Sequence, residues 1–571
     1  MQFVNGAFSG NDFADFLLSL PAYSYYTALG PNLNESASIT GIFAHDNWKI
    51  HNLLTLQFGL RWELHAPFED DHGNIASFDH QTGTVIIPDN SLPPSQSFLA
   101  AISACAVVQM QPCTNVETAS LAGLPNGLRH TYYGDWNPRL GLAWQPWSNG
   151  KTVIRGGIGR FTQSLLGQFA WAPTGIATSD TRTYVNYQGP GVLPLFTLPN
   201  VSPPLSNLGS GGIEIFGPAG VDPNFRDPYS YQWNFTIERE LPWSALFRAT
   251  YTGVQSVGMP VIVDYNQVPP STAPWSQQRT PFPLWANLYS LEPIGFSNYQ
   301  GMQLEASRRF RHDLFFQTSD VLAKDLGEAG APPPSGNFPT EYTGNAANAI
   351  TDRFDTRYDR GNLSGARRNT FLLNGLFPLP LGKERAIGAG WHGLEQGLLG
   401  GWELSTVTLI ESGPYQTPRI NNSLDRSNTG LVPPGVRSVQ ARPDRIGNGN
   451  LANPTTQMWY DPSAFVPVPK GAGRFGDAGA GILEGPGTVA IAMGLAKTFQ
   501  LSEKAPAYRS DIHKPTELSE LRAPYCEHIE SGLRYVDLSP VGPELWEPNR
   551  AARRTPLFLR RFISVRFWRC G

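Results

Sequence analysis

The sequence lacks any run of about 18 consecutive apolar residues, which excludes a membrane protein built from spanning helices. Charged residues are also scarce, at 16 % of the 571 residues, whereas aromatic residues reach 12 %. Glycine and proline are abundant instead, with 58 and 50 copies. This composition is typical of a chain with many strands and turns and few long surface helices. We therefore predict an all-β chain.

The charge balance gives no sign of a nucleic-acid partner, because the formal net charge is −4 and the pI is near 6.2. The sequence also carries no phosphate-binding loop, no zinc-binding HExxH motif and no nucleophile elbow. We therefore predict that the protein is not an enzyme, and we assign no catalytic residue, no cofactor and no metal site.

Cysteine is scarce, with four copies in the chain. Cys105 and Cys113 lie close together in a polar, turn-rich segment, and we expect them to form a disulfide if the protein leaves the cytoplasm. Two free thiols are the alternative. Cys526 and Cys570 have no comparable context.

The twelve residues Leu54–His65 alternate strictly between apolar and polar side chains. Side chains alternate between the two faces of a strand, and about 9–11 residues cross the hydrocarbon layer at a tilt, so the segment fits a transmembrane β-strand. For this segment alone, the alternative is an amphipathic strand of a soluble sandwich. The residues that we expect to face lipid are Leu54, Leu56, Phe58, Leu60, Trp62 and Leu64.

The same alternation recurs in pairs of segments joined by short turns. One pair is Arg139–Gln145 and Thr152–Phe161, which flank Asn149-Gly150, a strong hairpin signal. Matches to the period-two template predict about eleven strands. The further segments are Ile39–Trp48, Gln232–Leu241, the return strand with Phe247, Ala249 and Tyr251, Gly301–Phe310, Leu314–Val321, Asn369–Phe377, Gly401–Glu411 and Thr488–Gln500.

Long segments rich in proline, glycine and asparagine separate these hairpins. Outer-membrane barrels have short periplasmic turns and long extracellular loops, whereas soluble sandwiches rarely separate loop lengths in this way. We predict a partial antiparallel transmembrane β-barrel in the cell outer membrane, in contact with its lipid. The predicted loops are Pro67–Asp135, Ala172–Tyr229, Gly258–Ser297, Lys324–Arg360 and Pro414–Pro486.

The polar face of the predicted strands would line the lumen. We expect Arg61, Glu63, Asn234 and Glu238 to face water and a plug there. Tryptophan near strand ends is typical of the membrane–water boundary, although tryptophan also caps soluble cores. The tryptophans at such positions are Trp48, Trp62, Trp144, Trp147, Trp233, Trp243 and Trp402.

Two charged segments lie in the predicted loops. The segment Glu69-Asp70-Asp71-His72-Gly73 lacks the ligand spacing of an EF-hand, and we interpret it as a solvated loop instead of a calcium site. In the other segment, acidic and basic residues alternate and predict ion pairs at the surface or in the lumen. Its residues are Asp352, Arg353, Asp355, Arg357, Asp359 and Arg360.

Short motifs that occur in order across roughly residues 8–504 resemble the TonB-dependent receptors. Gly41–Lys49 followed by Leu54–Glu63 resembles the "QDDWK…LTLNLGLRYE" signature of that family. Further motifs resemble its Oar-like subgroup. They are Asn137-Pro138-Arg139-Leu140-Gly141, Gly150–Gly157, Asp222–Arg226, Gln232-Trp233-Asn234, Ser297-Asn298-Tyr299, Gly400–Ser405 and Asp461–Phe465.

The resemblance implies an outer-membrane barrel of about 22 strands with an N-terminal plug. It also implies a TonB box that couples the barrel to the inner-membrane motor and, in this subgroup, a carboxypeptidase-regulatory-like sandwich. Residues 1–504 match the barrel portion alone, so we expect TonB to act only if a plug and a TonB box are supplied. The implied function is uptake or export of an unidentified extracellular ligand. The alternatives are a plugless barrel or surface adhesin that only binds, and a secreted soluble β-rich protein.

Both ends of the sequence depart from the family pattern. Residues 1–10 lack the basic start and apolar core of a signal peptide, so we expect this start to be internal to a longer gene. Residues 505–571 are rich in proline and arginine, with seven Arg and no acidic residue from Arg550 onward. We expect this irregular tail to be disordered or the product of a frameshift.

Overall fold

The structure of the protein is a computed structural model. It describes residues 1–3, 7–28, 34–94, 98–99, 102, 115–163, 180–187, 193–204, 213–214, 220–283, 285, 288–309, 315–328, 350–383, 385–420, 426–429, 441–499 and 508–513. Its α-helices are Asp12–Leu17 and Gly393–Leu399, and its 3-10 helices are Pro242–Ser244, Gln277–Arg279, Thr356–Asp359 and Pro462–Ala464. None of the helices in these ranges has the length and apolar character needed to cross a membrane.

The strands in chain order are β1 (Tyr23–Ala28), β2 (Glu35–Ser36), β3 (Ile39–His51), β4 (Leu54–His65), β5 (Glu69–Asp70), β6 (Ser77–Asp79), β7 (Thr84–Ile87), β8 (Asn115–Thr118), β9 (Asp135–Trp144), β10 (Thr152–Thr162), β11 (Asp180–Val185), β12 (Ile213–Glu214), β13 (Gly220–Val221), β14 (Tyr229–Leu241), β15 (Ala245–Asp264), β16 (Tyr289–Arg309), β17 (Phe315–Glu328), β18 (Arg360–Asn362), β19 (Asn369–Pro378), β20 (Trp402–Glu411), β21 (Tyr415–Gln416), β22 (Asp444–Arg445), β23 (Phe465–Val466), β24 (Leu483–Glu484), β25 (Thr488–Phe499) and β26 (Tyr508–His513).

One large sheet dominates the part of the chain that the structure describes. Twelve strands follow each other in the order β26-β25-β20-β19-β17-β16-β15-β14-β10-β9-β4-β3, and each neighbouring pair is antiparallel. Two short strands, β13 and β18, pair with β16 and β17. Within the described residues the path ends at β3 and β26, so the sheet is an open, up-and-down barrel wall. The predicted all-β, partial antiparallel barrel is therefore confirmed.

The connections of seven residues or fewer along this path all lie at one end of the sheet, as the sequence predicts. Residues 52–53, 145–151, 242–244 and 310–314 are short connections at one end of the sheet, where residues 379–401 also join β19 to β20. Residues 66–134, 163–228, 265–288, 329–368 and 412–487 connect strands at the opposite end, which we call the long-loop end.

The strands β15 and β16 are longer than predicted and occupy much of the segment Gly258–Ser297, so the prediction of a loop there is wrong. Pairing continues past two register shifts between Val257 and Val261. Beyond them, the apolar run Val261–Val263 is buried on both faces, so it does not alternate between apolar and polar side chains.

Among the described residues, a hydrophobic core lies in the loop segments and not on a face of the large sheet. The small sheet β6-β7-β8 packs there against residues that precede β16. The side chains of this core are Ala76, Phe78, Val85, Ile87, Phe98, Ile102, Phe282, Trp285 and Leu288. The described parts of the loops that carry this core are therefore folded and have their own buried side chains.

The acidic segment Glu69–Gly73 is not simply solvated, because Asp70 is buried. Its carboxylate accepts hydrogen bonds from the backbone N–H groups of Asn34 at 2.6 Å, Asn74 at 2.8 Å and His72 at 3.1 Å. Burial without such partners would be costly, so these three bonds explain how the carboxylate is accommodated. The prediction of a solvated loop is wrong at Asp70.

In the second charged segment, the ion pair between Asp355 Oδ1 and Arg357 Nε is present, at 2.8 Å. Asp359 is instead buried and pairs with Arg442 from a distant loop, with Oδ1 and Nη2 3.4 Å apart. Burial raises the pKa of Asp359, and the Arg442 charge opposes this rise. The prediction of a surface or lumenal pair is therefore wrong for Asp359.

Candidate functional site: the two faces of the sheet and its long-loop end

The register of the sheet places the six predicted lipid-facing residues of β4 on one face, together with apolar residues of the neighbouring strands. Leu56 lies opposite Leu142, and Phe58 lies opposite Leu140. Phe58 and Leu60 are 43 % and 45 % exposed. The same face, which we call the apolar face, also carries Trp144, Ile154, Ile158, Trp233, Phe235, Ile237, Tyr251, Met302 and Leu304.

The four residues predicted to line the lumen all lie on the opposite face, which we call the polar face. Arg61 and Glu63 alternate with the apolar residues of β4. Asn234 lies on the same face, as the paired residues from β4 through β9 and β10 to β14 show. Glu238 lies four residues further along β14 and therefore shares this face. That this face lines a lumen stays a prediction.

Charged side chains form a ladder across four strands of the polar face, and a glutamine extends it to a fifth strand. Glu238 Oε2 accepts hydrogen bonds from Arg155 Nη1 at 3.1 Å and from Arg248 Nη2 at 2.9 Å. Arg248 Nη1 donates to Glu305 Oε2 at 3.0 Å, and Gln317 Nε2 donates to Glu305 Oε1 at 2.9 Å. Charges of alternating sign satisfy one another here, and such groups would be costly on a lipid face.

A second polar network begins at the predicted residues Arg61 and Glu63, whose Nε and Oε1 atoms are 2.8 Å apart. Asn137 Nδ2 donates to Glu63 Oε2 at 2.9 Å, and Thr162 Oγ1 donates to Asn137 Oδ1 at 3.0 Å. The network thus leads from β4 across β9 to the last residue of β10.

At the long-loop end, the structure brings together three buried residues that sequence reasoning missed. His65 ends β4, Asp135 begins β9, and Asp227 lies two residues before β14. Their exposed fractions are 7 %, 1 % and 4 %. His65 Nδ1 and Asp227 Oδ2 are 2.5 Å apart, and one ligand atom from each of the three side chains lies within 4.8 Å of the others. We call this group the rim triad.

Two arginines flank the rim triad. Arg160 Nη2 donates to Asp135 Oδ1 at 3.0 Å, and its guanidinium lies 4.1 Å from the ring centre of Tyr229. Arg129 Nη1 lies 3.8 Å from Asp227 Oδ1 and donates to the Phe225 carbonyl at 3.2 Å. Burial lowers the pKa of Arg129, while the carboxylates of Asp227 and Asp135 oppose that change.

Several tryptophans occupy positions expected for a membrane boundary. Trp144 ends β9, Trp402 begins β20, and Trp147 and Trp243 lie in short connections. At the long-loop end, Trp62 donates through Nε1 to the Tyr133 carbonyl at 2.9 Å. The assignment of these rings to a membrane boundary stays a prediction.

The predicted disulfide between Cys105 and Cys113 lies outside the described residues, as do Cys526 and Cys570. The tail predicted to begin at residue 505 falls mostly outside them as well. Its residues Tyr508–His513 form β26 and pair with β25.

Solved structures similar to the chain include outer-membrane transport proteins. The copper transporter OprC has 9 % identity and a TM-score of 0.33, with 82 % of this chain and 41 % of that chain covered. The FrpB iron transporter from Neisseria meningitidis has 9 % identity and a TM-score of 0.34, with 87 % and 43 % covered. The siderophore receptor PirA from Acinetobacter baumannii has 8 % identity and a TM-score of 0.35, with 81 % and 40 % covered.

The chain therefore spans 40–43 % of the length of these three structures. No curated protein matches the sequence. The protein-family model described as "Outer membrane beta barrel domain" matches residues 1–512, which is most of the chain. The chain belongs to this family of outer membrane beta-barrel domains, and its location is the cell outer membrane.

Proposed function

We propose that the chain is the barrel region of a TonB-dependent receptor of the Oar-like subgroup, which mediates uptake or export of an unidentified ligand across the outer membrane. The two faces of the large sheet carry this proposal, because one face is apolar and the other bears the charged ladder. The sequence motifs that occur in order across residues 8–504 support the subgroup assignment.

Each part of the sheet has a role in this function. The apolar face, including Leu54, Leu56, Phe58, Leu60, Trp62 and Leu64, contacts lipid. The polar face, including Arg61, Glu63, Asn234 and Glu238, lines the lumen and contacts a plug. The loops at the long-loop end contact the extracellular ligand. Residues 1–504 form the barrel, β26 adds one strand to its sheet, and the rest of residues 505–571 form a separate tail.

Transport depends on a plug and a TonB box in the natural gene product, since those parts couple such receptors to the inner-membrane motor. A plugless barrel or adhesin that only binds would have the same two faces. A secreted soluble β-protein accords less well with the exposed apolar face, because large contiguous apolar surfaces are rare on soluble monomers.

TonB binding separates the transporter from a barrel that only binds. The complete natural gene product is produced in a Gram-negative host, and its isolated outer membranes are titrated with the purified periplasmic domain of TonB. We expect saturable binding. The control is the same product with its TonB box deleted, which we expect to reach the outer membrane without binding TonB. A complete product that reaches the outer membrane but binds no TonB would contradict the transporter proposal.

A further inference from the structure

We propose that the rim triad of His65, Asp135 and Asp227 is a binding site for one divalent transition cation of the Zn²⁺ type. An imidazole nitrogen and two carboxylate oxygens are ligands that zinc accepts in proteins. The three ligand atoms lie within 4.8 Å of one another on side chains that are all buried. Three protein ligands leave a fourth position of a tetrahedral site for water or for another ligand.

One atom of the triad lacks a partner. Asp135 Oδ2 is buried and has no hydrogen-bond partner among the described residues. A buried carboxylate oxygen without a partner is costly, and the great majority of such atoms in proteins are satisfied. A cation held between Asp135, Asp227 and His65 would satisfy this oxygen.

The flanking arginines leave room for such a cation, because each contacts the other oxygen of its carboxylate. Arg160 Nη2 donates to Asp135 Oδ1, and Arg129 Nη1 lies 3.8 Å from Asp227 Oδ1. Outer-shell contacts of this kind orient the carboxylates that ligate metal ions. Asp135 Oδ2 is then the oxygen that is free for the cation, whereas Asp227 Oδ2, which lies 2.5 Å from His65 Nδ1, would exchange that contact for one with the cation.

The ion would join the ends of three strands. His65 precedes residues 66–134, and Asp135 follows them, while Asp227 closes the connection between β10 and β14. The cation would therefore clamp both long loops to the sheet. This inference needs only the packing of these strand ends and does not rest on the proposed transport function.

Zinc binding by the full chain, folded in detergent micelles, tests the proposal. Zn²⁺ alone is titrated in competition with a chromophoric chelator, and Mg²⁺ is the comparison ion because it prefers oxygen ligands. We expect one tight Zn²⁺ per chain and no tight Mg²⁺. The variants Asp135→Asn, Asp227→Asn and His65→Gln should each weaken zinc binding by at least about tenfold, since loss of outer-shell partners alone costs that much.

The matched control is Asp444→Asn, which removes one buried carboxylate that pairs with Arg474, away from the triad. This variant should bind Zn²⁺ like the unmodified chain. Equal zinc binding by all four variants, or no tight binding by the unmodified chain, would overturn the proposal and leave the triad as an ion-pair cluster.

X-ray absorption of the zinc-loaded, unmodified chain tests the site without relying on the folding of any variant. We expect a first shell of nitrogen and oxygen at about 2.0–2.2 Å. Sulfur at about 2.3 Å would assign the zinc to cysteines and overturn the proposal.

Discussion

Individual acidic residues in the loops meet environments that their local sequence does not reveal. Glu35 and Asp70 lie directly opposite each other in the short pair β2–β5. Asp70 is satisfied by backbone N–H groups, whereas Glu35 Oε1 is buried and has no hydrogen-bond partner among the described residues. Burial, and secondly the Asp70 charge, raise the pKa of Glu35 to about 7.

This shift predicts a pH dependence of stability. Between its ordinary value of 4.5 and about 7, Glu35 keeps its proton in the folded chain but loses it in the unfolded chain. The folded state then binds more protons, so the free energy of unfolding falls as pH rises through this window. Replacing the carboxyl group in Glu35→Gln should remove that contribution. Urea unfolding in detergent at a series of pH values measures the difference between the variant and the unmodified chain.

The neighbouring Glu69→Gln is the control, because Glu69 is exposed in the same short pair of strands. It removes a carboxyl group from the same pair of strands, so the contribution of Glu35 is the pH dependence that only Glu35→Gln changes. A flat difference between Glu35→Gln and the unmodified chain would show that Glu35 ionises in the folded chain as it does in the unfolded one.

At the scale of elements, prediction succeeds where a strand alternates and fails where a strand is buried on both sides. The predicted strand Leu54–His65 has the same bounds as β4, because apolar and polar side chains alternate along its whole length. The second half of β15 is an apolar run next to Pro260, and such a run does not alternate and so does not predict a strand of the sheet. This run lies in the sheet because it packs against loop residues, a contact that the sequence alone does not show. The sequence analysis also missed short strands such as β6 and β7, which lie within a predicted loop, because loop packing buries them too.

Substitutions on the two faces of β4 test their environments. Phe58→Arg places a charge on the apolar face near the middle of the strand, where it should lower the free energy of unfolding by about 2–4 kcal/mol in a bilayer. Gln57→Arg is the matched control, because Gln57 is the preceding residue, is exposed and lies on the polar face. We expect a change below about 1 kcal/mol for this control. Equilibrium unfolding from phospholipid vesicles measures both values, and equal losses would contradict the assignment of the faces.

At the scale of the whole molecule, the sheet and the loops differ in how far the sequence predicts them. Loop lengths and alternation suffice for the up-and-down strand order, because sequential strands pair across short turns. The rim triad was beyond prediction, since Asp135 and Asp227 meet His65 only after two long connections return to the sheet. The residue types and the sequence spacing of the triad match no metal-binding motif. The one feature of the sequence that could have indicated the triad was the position of its residues at strand ends.

We expect the large sheet to cross a bilayer with its apolar face toward lipid. Single spin labels at each position of Leu54–His65 test this orientation, in vesicles and in a chain whose cysteines Cys105, Cys113, Cys526 and Cys570 are serine. Oxygen concentrates in lipid and a nickel chelate stays in water, so collisions of the labels with the two relaxants report each environment. We predict that oxygen collisions peak at the even-numbered positions from Leu54 to Leu64 and that nickel collisions peak at the odd-numbered ones. Oxygen collisions that are low and show no alternation along the whole strand would contradict this orientation.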